Sequence, residues 1–178
     1  MVFSSIIFIF AFLPVTLLLY YAAPEVLKNP VLLLFSLIFY AWGEPVYVVL
    51  MIFSIIFNYL MGLDIEERRK IGKQSAKRSL IFTIAVDIGL LGFFKYYGFF
   101  TENLNQILPF DLPSVDVTLP VGISFYTFQG ISYVVDVYRG KAKAQRSLLN
   151  FALYIALFPQ LIAGPIVRYE DIEPQLAQ

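Results

Sequence analysis

Long apolar runs separated by short polar links cover this chain, and the spacing of the links predicts a series of membrane-length helices. An α-helix of roughly 20 apolar residues crosses the hydrocarbon core of a bilayer. Six runs approach this length: residues 1–24, 31–42, 46–63, 79–97, 117–135 and 147–167. The sequence therefore predicts an all-α, polytopic transmembrane helical bundle. It would have about six spanning or re-entrant helices, with residues 1–178 in a single membrane domain.

The first three runs are separated by two different links. Residues 25–30 form a short polar link. Gly43-Glu44-Pro45 predicts a helix end, because proline donates no backbone hydrogen bond and restricts the residue before it. Runs two and three are thus expected to form a tight helical hairpin. The first run has no basic leader, which favours a retained transmembrane helix over a cleaved signal peptide.

The last two runs are interrupted by residues that are unusual in lipid-facing helices. Glycine, glutamine and proline recur between Leu119 and Tyr169: Gly122, Gln129, Gly130, Pro159, Gln160, Gly164 and Pro165. Polar or irregular backbone at membrane depth persists only where protein or a water-filled cavity satisfies it. We therefore expect this stretch to pack inside a larger bundle and to line an internal site. The prolines predict a kinked or re-entrant last helix.

Basic residues cluster in two links. Six lie between Asp64 and Arg78, four more lie in residues 139–146, and residues 98–118 contain none. Because Lys and Arg are enriched in cytoplasmic loops, both clusters are predicted to be cytoplasmic and the N-terminus extracytoplasmic. The first cluster is expected to be a solvated amphipathic connector. Its alternative is a contact for anionic lipid head groups or a phosphorylated donor.

Polar side chains inside the apolar runs are the candidate functional residues. Asp87 lies in mid-span, where a carboxylate costs about 2.5–3.5 kcal/mol and needs a partner or a functional role. Four polar residues, spaced three, four and three apart, share one helical face: Gln129, Ser132, Asp136 and Arg139. This face is either a seam between helices that ends in an Asp136–Arg139 pair, or the wall of a substrate passage. The candidate passage-lining residues are Gln129, Ser132, Asp136, Gln160 and Arg168.

Composition favours a membrane protein and excludes several chemistries. Hydrophobic residues make up 59% of the chain and charged residues 15%, whereas soluble domains carry about 25% charged residues. The chain contains no Cys and no His, so these residues supply no thiol chemistry and no His-dependent triad. The net charge of zero argues against a nucleic-acid partner. The sequence also contains no metal-ligand cluster and no phosphate-binding glycine loop.

Five segments, in this order along the chain, carry a family resemblance. They are MVFSS at the start, FYAWGEPVYV at 39–48, FKYYGFF at 94–100, LPVGISFYTFQGISYVVDVYRG at 119–140 and FPQLIAGPIVRYEDI at 158–172. Together they resemble the membrane-bound O-acyltransferases, specifically the alginate O-acetyltransferase branch. The resemblance covers nearly all of the chain and implies the N-terminal part of a multi-span enzyme with a tunnel through the membrane.

The resemblance also implies a function. Similar proteins move an acetyl or other acyl group from a cytoplasmic donor such as acetyl-CoA across the membrane, for O-acetylation of an exported polysaccharide such as alginate. It implies extracytoplasmic acyltransferase partner proteins, a polysaccharide acceptor, no bound cofactor and a place in the bacterial inner membrane. The catalytic His of the family lies beyond residue 178, so this chain carries no catalytic residue and is expected to be inactive alone. Two alternatives stay open: a transporter- or channel-like module, and a non-catalytic scaffold of a polysaccharide-modifying complex.

Overall fold

A computed structural model of the protein describes residues 5–107, 119–163, 169, 171 and 172. Every regular element among them is helical. A π-helical turn, Phe8–Phe12, leads into α1, and the helices in chain order are α1 Leu13–Ala22, α2 Glu25–Gly43, α3 Val48–Ile71, α4 Lys73–Ile107, α5 Ile123–Arg139, α6 Leu148–Ala156 and α7 Phe158–Ala163. The predicted all-α class is confirmed.

Each of the six apolar runs contains helix in its described part. Three helical segments are long and apolar enough to span a membrane, Glu25–Gly43, Val48–Ile71 and Lys73–Phe99, while the apolar helices of the first and last runs are shorter. Large apolar side chains stay exposed on their outer faces, for example Leu18 and Phe82. Exposed apolar surface on this scale marks contact with lipid or with further protein, and together with the three span-length segments it identifies an integral membrane protein.

The second helix begins earlier than the sequence pattern predicts. Residues 25–30 belong to α2 rather than to a link, and Pro30 lies inside the helix. Pro30 is the sixth residue of α2, beyond the first four whose N–H groups lack an intrahelical partner, so it removes one interior hydrogen bond, to the Val26 carbonyl, and the helix continues through it. With this extra turn and a half, α2 reaches 19 residues and becomes long enough to span.

The charged link between the third and fourth runs is helical on both sides of Gly72. α3 continues to Ile71 and α4 starts at Lys73, so Gly72 alone separates them. α4 has 35 residues, a length of about 52 Å at 1.5 Å per residue. The basic residues on both sides of Gly72 are exposed, as expected for a solvated connector. These charges therefore lie on the ends of two long helices.

The tight hairpin predicted for runs two and three is wrong. Four residues join α2 to α3, yet the two helices share few contacts. α2 packs against α1, α6 and α7, whereas α3 packs against α4, α5 and α6. The helices separate because α6 packs against both of them.

The interruption predicted within the last run is confirmed: α6 ends at Ala156, and α7 begins beside Pro159.

α3 and α5 approach each other closely at two glycines. Tyr133 of α5 packs onto Gly62 of α3, and Asn58 of α3 packs onto Gly130 of α5. A Cβ atom added at Gly130 would lie 2.8 Å from Asn58. Small residues allow membrane helices to come this close, so the α3–α5 pair forms the tightly packed centre of the bundle.

Both basic clusters lie at one end of the bundle, here called the basic end. Glu66 of α3 forms an ion pair there with Arg146, which precedes α6. The start of α2 lies at the same end, because Asn29 Nδ2 donates to Asn150 Oδ1 at 3.2 Å. The alternation of spans predicts this grouping of the basic segments, and the described contacts agree with it.

Candidate functional site

A polar seam lies inside the bundle where α3, α4 and α5 meet, and we define it as Ser54, Asn58, Asp87, Tyr126 and Thr127. Asn58 Nδ2 donates to Asp87 Oδ1 at 3.1 Å and to the Ser54 carbonyl at 3.1 Å. Asp87 is 2% exposed and Asn58 1%. The partner that a mid-span carboxylate requires is thus an asparagine on the neighbouring helix.

Matching polar stripes on α3 and α4 build this seam. Ser54 and Asn58 are four residues apart on α3, and Ser79, Thr83 and Asp87 repeat the same spacing on α4. Residues four apart lie on one face of a helix, and all five side chains are buried. Thr83 Oγ1 donates back to the Ser79 carbonyl at 2.8 Å. The two stripes face each other, so the polar groups of the spans point away from lipid.

A small cavity adjoins the seam. Its volume is about 10 Å³, which is about the minimum space that holds one water molecule. The polar groups around it come from Ser54, Asp87, Tyr126 and Thr127. Asp87 Oδ2 makes no hydrogen bond to any described residue. The seam therefore sets a carboxylate oxygen and hydroxyl groups around a water-sized space in the interior of the bundle.

The polar face predicted on α5 is present, with one correction. Gln129 and Asp136 are buried, Ser132 is half-buried and Arg139 is exposed. The ion pairs of the described residues do not join Asp136 to Arg139. The predicted pair is wrong because Arg139 is the last residue of α5 and its side chain reaches solvent, whereas Asp136 points into the bundle.

The other two candidate residues lie apart from α5 in the chain. Gln160 is half-buried on α7, and its Nε2 atom is buried without a hydrogen-bond partner among the described residues. α7 packs against α2 and α6. Arg168 lies outside the described residues. The structure therefore places Gln129 and Asp136 on one buried face and Gln160 on another element, and passage lining by these residues stays a prediction.

A second polar site is a pocket at the basic end, with a volume of about 210 Å³. Its lining comprises Glu66, Lys143, Ala144, Gln145, Arg146, Asn150 and Tyr169. Glu66 accepts a hydrogen bond from the Ala144 N–H at 3.1 Å, in addition to its pairing with Arg146. Lys143 is exposed at the pocket. The pocket thus combines a carboxylate that holds the loop with a lysine that is available to an anionic ligand.

Gln145 fixes the backbone of this loop. Its Oε1 accepts from the N–H groups of Arg146 and Ser147, at 2.8 and 3.0 Å. Its Nε2 donates to the Tyr169 hydroxyl at 2.9 Å, and its own N–H donates to the Tyr133 hydroxyl at 3.1 Å. The loop is thereby tied to α5 and to the segment after α7, so the pocket wall is held by side chains distant in sequence.

Several of these site residues cannot be identified from the sequence alone. Asn58 carries a usable signal, since Ser54, Asn58 and Gly62 form a small and polar stripe at four-residue spacing within an apolar span. Glu66 and Gln145 carry none, because a single charged or amide residue at a helix end or in a loop is ordinarily solvated. Only the meeting of α3 with the loop before α6 reveals their role.

The lipid-facing outer surface, buried polar seam and basic-end pocket define an α-helical integral membrane protein with a polar interior. Sequence identity to known proteins identifies its family. The chain is 45% identical over 181 residues to the probable alginate O-acetylase AlgI of Pseudomonas aeruginosa, covering 98% of this chain and 34% of that protein. It is 36% identical over 205 residues to the peptidoglycan O-acetyltransferase of Helicobacter pylori, covering 98% and 38%. A teichoic acid D-alanyltransferase of Bacillus subtilis is 30% identical over 99 residues, covering 54% and 24%.

The chain belongs to the membrane-bound O-acyltransferase family, in its alginate O-acetyltransferase branch, and the resemblance carried by the five sequence segments is confirmed. It spans about one third of the length of the alginate O-acetylases it matches. No protein-family model matches the chain. No solved structure matches it significantly either.

Proposed function

We propose that this chain is part of a membrane O-acetyltransferase that moves an acetyl group from a cytoplasmic donor across the membrane for O-acetylation of an exported or cell-surface polysaccharide such as alginate. The observation that carries the proposal is 45% identity to a probable alginate O-acetylase over 98% of the chain. The peptidoglycan O-acetyltransferase relative supports transfer to sugar hydroxyls in general. In this proposal the acceptor polysaccharide and extracytoplasmic acyltransferase proteins are the partners.

The basic end of the bundle would face the cytoplasm, and the N-terminus the extracytoplasmic side of a bacterial inner membrane. The argument is the asymmetry of charge: the Lys and Arg clusters of residues 64–78 and 139–146 lie together at this end, and such clusters are retained on the cytoplasmic side. The basic-end pocket is then open to the compartment that holds acetyl-CoA, the donor we propose.

Lys143 would attract the phosphate groups of that donor. An ammonium group binds phosphate as a point charge, and Lys143 is exposed at the pocket while the neighbouring Glu66 is occupied by Arg146 and Ala144. The seam would provide polar groups deeper in the bundle, where lipid provides none. The C–S bond of the donor thioester breaks as the acetyl carbon forms an ester bond to the acceptor hydroxyl. The hydroxyl proton passes through a base to the departing thiolate, which leaves as CoA thiol; we assign that base to the family His, outside residues 1–178.

The proposal is tested with labelled acetyl-CoA and the full-length protein in proteoliposomes that also contain its acceptor and the extracytoplasmic partner proteins. We expect label to appear as an ester on the polysaccharide, and residues 1–178 alone to transfer none. Lys143→Gln should raise KM for acetyl-CoA about fivefold, the equivalent of about 1 kcal/mol, with kcat little changed. Lys141→Gln is the matched control, because Lys141 lies in the same loop, is exposed and does not line the pocket.

The outcomes separate the two parts of the proposal. If the full-length protein forms no labelled ester but releases intact donor across the membrane, it is a transporter and the proposed function is wrong. If ester forms and Lys141→Gln raises KM as much as Lys143→Gln does, the enzyme assignment holds and the donor pocket is misplaced.

A further inference from the structure

A surface groove runs between α3 and α4 on their outer side, near the basic end. Its volume is about 490 Å³. The lining comes chiefly from Leu60, Asp64, Arg68, Arg78, Ser79 and Phe82. The groove is distinct from the basic-end pocket, because Glu66 of the pocket is two residues from Asp64 and lies on the opposite side of α3.

The lining changes from apolar to basic along the groove. On α3, Leu60, Asp64 and Arg68 follow one another at four-residue spacing, so about 12 Å separates the first from the last. α4 runs antiparallel to α3, and on it Phe82 lies one turn farther from the basic end than Arg78. The Ser79 Oγ–Asp64 Oδ2 hydrogen bond, 2.6 Å long, sets the two helices in register. Apolar side chains thus lie together at one depth and basic side chains at the next.

The charges of the groove are unevenly matched. Arg68 Nε contacts both Asp64 oxygens, at 2.8 and 2.7 Å, and Ser79 donates to the same carboxylate. Arg78 is exposed and forms no ion pair with any described residue. Two guanidinium groups against one carboxylate leave a net positive charge at this end of the groove.

The apolar part of the groove is open to lipid. Leu60 is 55% exposed and Phe82 57% exposed, and both lie within segments apolar enough to span the membrane. A ligand that fills the groove must therefore be apolar on one side and anionic on the other. A phospholipid meets both requirements, since guanidinium groups bind phosphate in a bidentate manner.

We propose that this groove binds one anionic phospholipid of the surrounding leaflet, with its phosphate on Arg78 beside Arg68 and an acyl chain along Leu60 and Phe82. The site is separate from acetyl transfer, and its test does not depend on activity. Phosphatidylglycerol carries a net negative charge on its phosphate, whereas phosphatidylethanolamine is neutral overall because its ammonium group balances the phosphate. The net charge of the groove therefore favours the first.

Native mass spectrometry of the full-length protein, purified in detergent, tests this with two lipids that have identical acyl chains. We expect phosphatidylglycerol adducts to exceed phosphatidylethanolamine adducts about fivefold, as one basic residue near an anionic head group would give. Arg78→Gln should remove this preference. Lys77→Gln is the matched control, because it removes the same charge from the same turn of α4 without altering the groove lining.

A second variant examines the apolar half of the site. Phe82→Ala should weaken the binding of both lipids by a similar factor, while the preference for the anionic head group remains. Millimolar inorganic phosphate should leave the lipid adducts in place, because it lacks the acyl chain. Equal binding of the two lipids by the unmodified protein would overturn the proposal. So would an unchanged preference in Arg78→Gln, or an equal loss in Arg78→Gln and Lys77→Gln.

Discussion

Two glycines determine how closely the central helices approach. At each one, a large side chain of the facing helix takes the space of the missing Cβ: Tyr133 at Gly62 and Asn58 at Gly130. In a membrane, helix association depends on packing and interhelical hydrogen bonds, because lipid is as apolar as the helices themselves. The Gly130 contact serves both purposes, since it holds Asn58 where it donates to Asp87.

Gly130→Ala should therefore destabilise the bundle. The new Cβ would lie 2.8 Å from Asn58, and relief of such overpacking costs about 1–3 kcal/mol. The full-length protein in detergent should show a lower apparent Tm by thermal unfolding. Gly89→Ala is the matched control, because Gly89 also lies inside a membrane helix but has no neighbour within 4 Å of an added Cβ. An equal Tm for the two variants would contradict a close α3–α5 contact.

Asp87 shows what a single residue does and does not predict. A carboxylate in mid-span needs a partner, because its burial is costly, and that requirement is visible in the sequence. The identity of the partner is not, since Asn58 lies 29 positions away and several polar residues are equally suitable by type. The packing of α3 against α4 makes the choice.

Among the helices, some ends lie where the sequence predicts them and others do not. The break at Gly43-Glu44-Pro45 is found as predicted, because proline prevents the helix from continuing. Pro30, by contrast, does not end α2: the helix continues past it although its missing N–H removes one interior hydrogen bond. The charged residues around Gly72 also stay helical, since hydrophobicity identifies the part of a helix in the membrane and not the part that extends beyond it.

Arg69 stabilises the C-terminal end of α5 from the neighbouring helix. Its Nη1 donates to the Val137 carbonyl at 2.8 Å, one of the last carbonyls of the helix, which also accepts from the Gly140 N–H at 3.1 Å. α5 terminates there at Gly140, whose φ of 77° is in the left-handed region, as is common for a C-terminal glycine. The Arg69 guanidinium packs directly against Gly140.

Arg69→Gln should accordingly loosen the start of the loop after α5. We expect amide hydrogen exchange at residues 140–142 to become about fivefold faster, since an exposed charge-assisted hydrogen bond contributes about 1 kcal/mol. Lys70→Gln, which removes the adjacent exposed charge, should leave this exchange unchanged. If both variants speed exchange equally, general electrostatics rather than the Val137 contact stabilises the helix end.

For the whole molecule, the number and order of the helices follow from the hydrophobic runs. Which helices pack against each other does not follow from them. The six runs are recovered, the last of them as α6 and α7. That α6 contacts both α2 and α3 depends on side-chain fit, such as the packing of Phe151 of α6 against Tyr59 of α3 with ring centroids 6.1 Å apart. Likewise, Gln129 and Asp136 were identifiable as buried polar residues, but the basic-end pocket was not, because its walls come from three separate segments.

The orientation of the bundle decides whether the basic-end pocket can meet a cytoplasmic donor. Val46 and Lys73 flank α3 at opposite ends, so single cysteines at these positions report the two sides of one span. Residues 1–178 contain no native cysteine, so labelling in this part arises only from the introduced residue. In intact spheroplasts, a membrane-impermeant maleimide should label Val46→Cys and should reach Lys73→Cys only after permeabilisation. The reverse pattern would place the basic clusters outside, against the charge asymmetry, and would separate the pocket from acetyl-CoA.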